Sequence, residues 1–161
     1  MIVAAPLPLL LAWAMLSDLM RLEIPNAIPI IVVIAFVVAA MVMGFEVVTI
    51  LRQLAIGIGA LVVGLGLFAA RVVGGGDVKL LAGLLPWLAP DQLPAFFIWM
   101  ALVGGLLAVV ALLLRNRRLG PAWRRSRWFE ELSKGQTKIP YGLAIGCAGL
   151  IALPGLPIFG N

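Results

Sequence analysis

Two aspartates, Asp18 and Asp77, are the residues on which chemistry in this chain could turn. Asp18 stands in Ser17-Asp18-Leu19-Met20-Arg21 after a strongly apolar start, and Asp77 follows the run Arg71-Val72-Val73-Gly74-Gly75-Gly76 ahead of Val78-Lys79 and a second apolar stretch. A carboxylate at the edge of a membrane span is expensive to hold there, which makes it a candidate functional group by default. Two carboxylates sharing a site do not easily both ionise. One keeps its proton while the other acts as base toward a water, the arrangement of aspartic proteases. The protonated member would polarise a scissile carbonyl or protonate the departing amine. Either aspartate can take either part, and the pair titrates as a unit.

Other chemistries lack their parts. The chain has no histidine, which removes Ser-His and Cys-His nucleophile pairs and a histidine zinc site, and its single cysteine, Cys147, excludes an internal disulfide or a cysteine cluster. The glycine run is not a phosphate loop, because the Gly-Lys-Ser/Thr continuation is missing and Asp77 would repel phosphate. Glycines without a Cβ permit unusual backbone angles and close approach, so an extended substrate could pass beside Asp77. The plainer alternative is a flexible turn at Gly74-Gly75-Gly76 with Asp77 capping the following helix. Glu23 competes with Asp18 as partner, whereas Glu130 and Glu131 lie in a basic loop.

The elements that must position these acids are apolar. Of 161 residues, 63% are hydrophobic and 12% charged, and the mean hydropathy is +1.15. A soluble sphere of this size has too little interior for that much apolar side chain. The expected fold is all-α, a polytopic integral membrane protein of about six transmembrane helices forming a single membrane-embedded domain over 1–161. The predicted spans are 1–16, 27–44, 50–70, 78–89, 93–114 and 139–159, the fourth thin for a full crossing. Gly57, Gly59, Gly64 and Gly66 in the third suit close helix packing or simple membrane composition equally. The first segment has no basic residue before its apolar core, which disfavours a cleaved signal peptide.

Charge orients the bundle. Arg21, Arg71, Lys79 and the basic residues of 115–138 fall on one face; Arg52, Glu46 and Asp91 fall on the other. The basic face is expected in the cytoplasm and both termini on the non-cytoplasmic side. Asp18 and Asp77 then sit at matching depth although 59 residues separate them, and Glu46 and Asp91 lie on the wrong side. The net charge of +5 belongs to this topology rather than to nucleic acid. The loop 115–138, with Trp123, Trp128 and Phe129 among its cations, suits a surface of anionic lipid. Lys79 could favour ionisation of one acid or contact substrate, Arg21 and Glu23 could pair, Asn26 could cap the second span, and Cys147 reads as packing.

Gly74-Gly75-Gly76-Asp77 fits the pattern G-x-G-D and, with Val78-Lys79-Leu80-Leu81, resembles the active-site signature of the type IV prepilin leader peptidases. Asp18, ahead of Ile24-Pro25-Asn26, resembles their first catalytic aspartate, and Pro140-Tyr141-Gly142 resembles their entry to the last span. The resemblance implies Asp18 and Asp77 as the catalytic pair, with Gly74, Gly75, Gly76, Lys79, Pro140, Tyr141 and Gly142 shaping the site or binding substrate. It implies no metal or cofactor, a prepilin or pilin-like precursor as protein partner, pilus assembly machinery nearby, and the bacterial inner membrane as location. Bifunctional members carry a cytoplasmic region with paired cysteines and methylate the new pilin terminus. This chain lacks the cysteine pair and resembles the short, peptidase-only form of Flp-type pilus and tight-adherence systems, which cleaves after a glycine.

Two readings from other classes compete. A small proton-coupled carrier or channel would place carboxylates along a path through mid-membrane, whereas Asp18 and Asp77 cluster at one face. An assembly or anchoring subunit would tolerate Asn at both positions.

Overall fold

A computed structural model describes residues 6–115, 123–136 and 138–155. Its elements are helical, with no strand among the described residues: α1 (Pro6–Arg21), α2 (Ala27–Val42), α3 (Val47–Ala69), α4 (Gly75–Leu84), α5 (Leu93–Leu114), α6 (Arg127–Ser133) and α7 (Tyr141–Ala152), with short 3-10 turns between them. Arg117 and Arg118 of the basic loop, residues 1–5 of the first expected span and 156–159 of the last lie outside the described residues.

Among the described residues, two helices are long and apolar enough to cross a bilayer by themselves. α3 has 23 residues and α5 has 22, which at about 1.5 Å per residue exceed a hydrocarbon core of roughly 30 Å. Both keep most of their apolar side chains on the outside, including Val62, Val63, Leu106 and Leu113. A core helix of a soluble protein would bury that surface, so this outward apolar skin suits lipid. α1 and α2 have 16 residues each, α7 has 12 and α4 has 10, so these four helices fall short of a full crossing.

Several boundaries differ from the sequence reading for local reasons. α1 runs on through Ser17-Asp18 to Arg21, because its inward face stays packed through Ala14, Ser17 and Asp18. α4 begins at Gly75, so two of the three glycines are helical rather than a turn. The loop 115–138 contains a helix of its own: Trp128 and Leu132 of α6 are buried in a small second core with Ala111 of α5, Leu19 of α1 and Leu22 just after α1. Ser126 Oγ donates to the Leu19 carbonyl at 2.6 Å and Trp128 Nε1 to the Lys138 carbonyl at 2.8 Å, which ties this segment to the end of α1 that carries Asp18.

α4 stays short because Pro86 cannot continue the hydrogen-bond ladder. The chain tightens into a 3-10 turn, Leu85–Trp87, and Trp87 anchors it. The indole is 1% exposed, meets Phe36 edge-on at 5.8 Å and donates to the Val32 carbonyl at 3.1 Å. Trp87→Ala is expected to cost about 3–5 kcal/mol through the cavity it leaves, read as a lower thermal unfolding midpoint in detergent.

Small residues set the packing distances. On α3, a Cβ at Gly57 would stand 2.6 Å from the Ala82 carbonyl oxygen and one at Gly64 would stand 2.5 Å from Val78, both on α4. Gly59 and Gly66 face open space, so half of the glycine set forms a docking face and half does not. Seven residues return a helix to nearly the same side, which explains the pairing of 57 with 64.

α3 ends in a Schellman turn, with Val72 N–H donating to the Leu67 carbonyl and Arg71 N–H to that of Phe68, both at 2.9 Å. The residue in the left-handed region is Arg71, φ 60°, where α2 uses Gly44 at φ 74° for the same turn. A non-glycine residue there costs on the order of 1 kcal/mol. Arg71→Gly is expected to raise stability by up to about that amount, measured by chemical denaturation.

Candidate active site

Asp18 lies on the last turn of α1, 5% exposed, and Asp77 on the first turn of α4. α1 and α4 share few direct contacts. α7 packs against α1, α4 and α5, and its N-terminus lies beside both aspartates.

That N-terminus needs acceptors. Pro140 is the N-cap of α7 and has no side-chain oxygen to offer the first N–H groups. Asp18 brings one close from another helix: its carboxylate lies against the first turn of α7, near the backbone N–H groups of Gly142 and Leu143. These are the second and third helical positions, the donors that an N-cap side chain ordinarily takes. The N–H groups of Gly74 and Gly142 lie near the Asp77 carboxylate. Gly74 is the N-cap of α4 and Asp77 its third residue, the position from which an acidic side chain turns back toward the N-cap N–H. The capping role and a chemical role are therefore compatible at Asp77, which faces the charge of Asp18 while it caps its own helix.

The Gly142 amide thus lies close to both carboxyl groups. Among the described residues, Asp18 Oδ2 is a buried oxygen with no hydrogen-bond donor. Leaving such an atom unpaired costs free energy, and sites of chemistry are where folds tolerate it. Two carboxyl groups, one amide and one free acceptor at the end of a bundle can hold a water and relay a proton.

The remaining sequence candidates divide. A Cβ at Gly142 would stand 2.8 Å from Asp18 Oδ2, and one at Gly74 would stand 2.6 Å from Asp77 Oδ2, so a side chain at either position would displace a carboxyl group. Gly75 packs against Phe68 and Gly76 against Ile24. None of the three glycines has positive φ; only Gly44 and Gly135 do among the described glycines, so the run serves close approach and not unusual backbone angles. Pro140 is buried and simply begins α7. Tyr141 turns its ring onto Gly104 of α5. Lys79 points away from the pair and donates to Asn26 Oδ1 at 2.9 Å, and Asn26 makes no side-chain cap on α2. Glu23 lies outward, paired with Arg127 at 3.5 Å rather than with Arg21, which leaves Asp18 as the buried acid on this side.

Ile24 was not singled out from sequence, yet it touches both halves of the site. Its Cδ1 lies 2.7 Å from the position of a Gly142 Cβ and its own Cβ lies 3.3 Å from that of a Gly76 Cβ. The turn that delivers it runs through Leu22, φ 54°, and is held by Ser17 Oγ donating to the Glu23 carbonyl at 2.8 Å. Ile24-Pro25-Asn26 was the only signal for it.

Residues 5–109 match the model of the type IV leader peptidase family. The chain belongs to that family. Neither curated proteins nor solved structures gave a match. The leader peptidase segment contains Asp18, Gly74-Gly75-Gly76-Asp77 and Lys79 and ends within α5, so Gly142, close to both acids, lies beyond it. Family membership makes this protein a leader-peptidase-like protease.

Proposed function

We propose that the chain is a membrane aspartic endopeptidase that removes the leader of type IV prepilins, of the Flp type in particular, and of pilin-like proteins, with Asp18 and Asp77 as its catalytic pair. The observation that carries this reading is the convergence of both carboxyl groups on the Gly142 amide. One carboxylate takes a proton from water as the oxygen attacks the scissile carbonyl. The protonated partner donates to that carbonyl oxygen, and a proton then passes to the leaving amine as the tetrahedral intermediate collapses. Proton bookkeeping closes with two carboxyl groups and one water, so no cofactor enters.

The whole chain acts as one membrane-embedded domain in the bacterial inner membrane, with six spans, the four shorter helices completing theirs together with the turns beside them, the acid pair at the cytoplasmic face and both termini outside. Supporting this are the outward apolar skin of α3 and α5 and the docking of α6, within the basic segment, on the Asp18 end of α1. The substrate is a precursor whose cleavage site emerges at that face beside its hydrophobic helix. It passes over exposed Gly74, and pilus assembly machinery receives the product. No methyl transfer follows, because the paired-cysteine region associated with it is missing from this sequence.

Co-expression with an Flp-type prepilin, followed by the mass of the new amino terminus, tests the reading. Cleavage after glycine with an unmethylated terminus is the expected result. A methylated product would remove the peptidase-only assignment, and intact precursor across a panel of Flp-type and type IV prepilins would overturn the substrate.

A further inference from the structure

A second cavity, of about 660 Å³, opens between α2, α3 and α4 on the other side of α4 from the acid pair. Lys79, Gly83 and Pro86 present one face of α4 to it. Lys79 follows Asp77 by two residues, about 200° around the helix, so the backbone of α4 separates this cavity from the carboxyl groups. Its walls are apolar, with Ile30, Ile34, Leu54 and Ile58 among them. Polar groups occur only at one end, where Asn26 and Lys79 stand. The ammonium has three donors; one goes to Asn26, and no carboxylate lies within ion-pair distance of it among the described residues.

An apolar trench with one uncompensated cation at its lip is complementary to an amphiphile with an anionic head. The cation lies at the end of the bundle that carries Asp77, and the apolar floor runs from there toward Pro86. That polarity matches a phospholipid of the adjoining leaflet, its phosphate at the headgroup level and its acyl chains in the bundle. We propose that this groove is a binding site for one anionic phospholipid, held by Lys79 and Asn26 at the phosphate and by the α2, α3 and α4 walls along the acyl chains. The lipid buttresses α4 from behind and so fixes the helix that presents Asp77. The inference rests on the membrane placement proposed above and not on the peptidase reading.

The test is native mass spectrometry of the purified full chain in a non-ionic detergent, titrated with a phosphatidylglycerol or a phosphatidylcholine of identical acyl chains. One phosphatidylglycerol is expected to be retained in preference to phosphatidylcholine. Lys79→Gln should lower its apparent affinity about tenfold and Lys79→Arg should restore it. Ile58→Trp should weaken both lipids by filling the trench, while Val63→Trp, on the outer face of the same helix, should leave binding unchanged. Equal retention of the two lipids, or indifference to both Lys79→Gln and Ile58→Trp, would overturn the proposal. So would displacement of the lipid, one for one, by a peptide of the prepilin hydrophobic segment, which would assign the trench to substrate. Because binding is read without cleavage, a protein that retains the lipid but cuts no prepilin would count against the proposed function alone.

Discussion

Asp18→Asn and Asp77→Asn each reduce prepilin cleavage by roughly a thousandfold or more, at unchanged abundance in the membrane. The size follows from the role: a positioned acid or base contributes on the order of 10²–10⁴-fold, and here the loss of either member removes both functions, because the proton is shared. The unchanged abundance follows from the geometry. An Asn at position 77 keeps a carbonyl oxygen for the Gly74 N–H, and one at position 18 keeps an acceptor for the N–H groups that open α7. Asp18→Ala and Asp77→Ala should differ from the amides in exactly this respect, each costing about 1 kcal/mol of stability through a lost cap on top of the lost activity. Cleavage assays in membranes, normalised by immunoblot, with thermal unfolding alongside, separate the two effects. Cleavage that persists in either amide variant would sink the pairing of Asp18 with Asp77, and the Glu23→Gln variant is the control, expected to stay within about twofold of the parent because its side chain faces Arg127.

Much of this arrangement was legible from sequence, and the illegible part has a common cause. Leu93–Leu114 as a helix follows from an unbroken apolar run closed by Arg115, and the nearness of Asp18 and Asp77 is what an expected matching depth leads to. The helix carrying Asp18 was cut short at residue 16 because Ser17-Asp18 looks like a connection; only the packing of α7 against that face reveals them as helical and buried. The docking of α6 is hidden for the same reason, since Trp128 in a basic loop reads as lipid-facing until α5 and the end of α1 are seen to cover it. Capping across elements leaves no local trace: Pro140 gives no hint that its helix borrows an acceptor from a residue 122 positions earlier. Lys79, near Asp77 in sequence, is far from it around the helix, and Gly142, distant in sequence, lies against Asp18 and close to Asp77.

That last contrast gives the second large effect. Gly142→Ala should lower kcat about a hundredfold while leaving the protein folded. A Cβ there would stand 2.7 Å from Ile24 Cδ1, 2.8 Å from Asp18 Oδ2 and 3.1 Å from Asp18 Cβ. The end of the Ile24 side chain can swing aside at little cost, but Asp18 and the start of α7 cannot both stay where they are. Overpacking of this kind costs about 1–3 kcal/mol, and replacing a helical glycine by alanine returns up to about 1 kcal/mol, so the net change in stability is modest. Activity has no such compensation, because the displaced atoms are the carboxylate proposed to react and the amide beside both acids, and misplacement by about 1 Å costs on the order of 10² in rate. Gly105→Ala on α5, with nothing within 4 Å of its Cβ position, is the matched control and should be as active as the parent. The double variant Gly142→Ala/Ile24→Ala decides which contact matters: it relieves the aliphatic clash and not the carboxylate one, so it should remain as inactive as Gly142→Ala alone. Recovery in the double variant would move the effect from Asp18 to the packing around Ile24, and parental kcat in Gly142→Ala itself would remove Gly142 from the site.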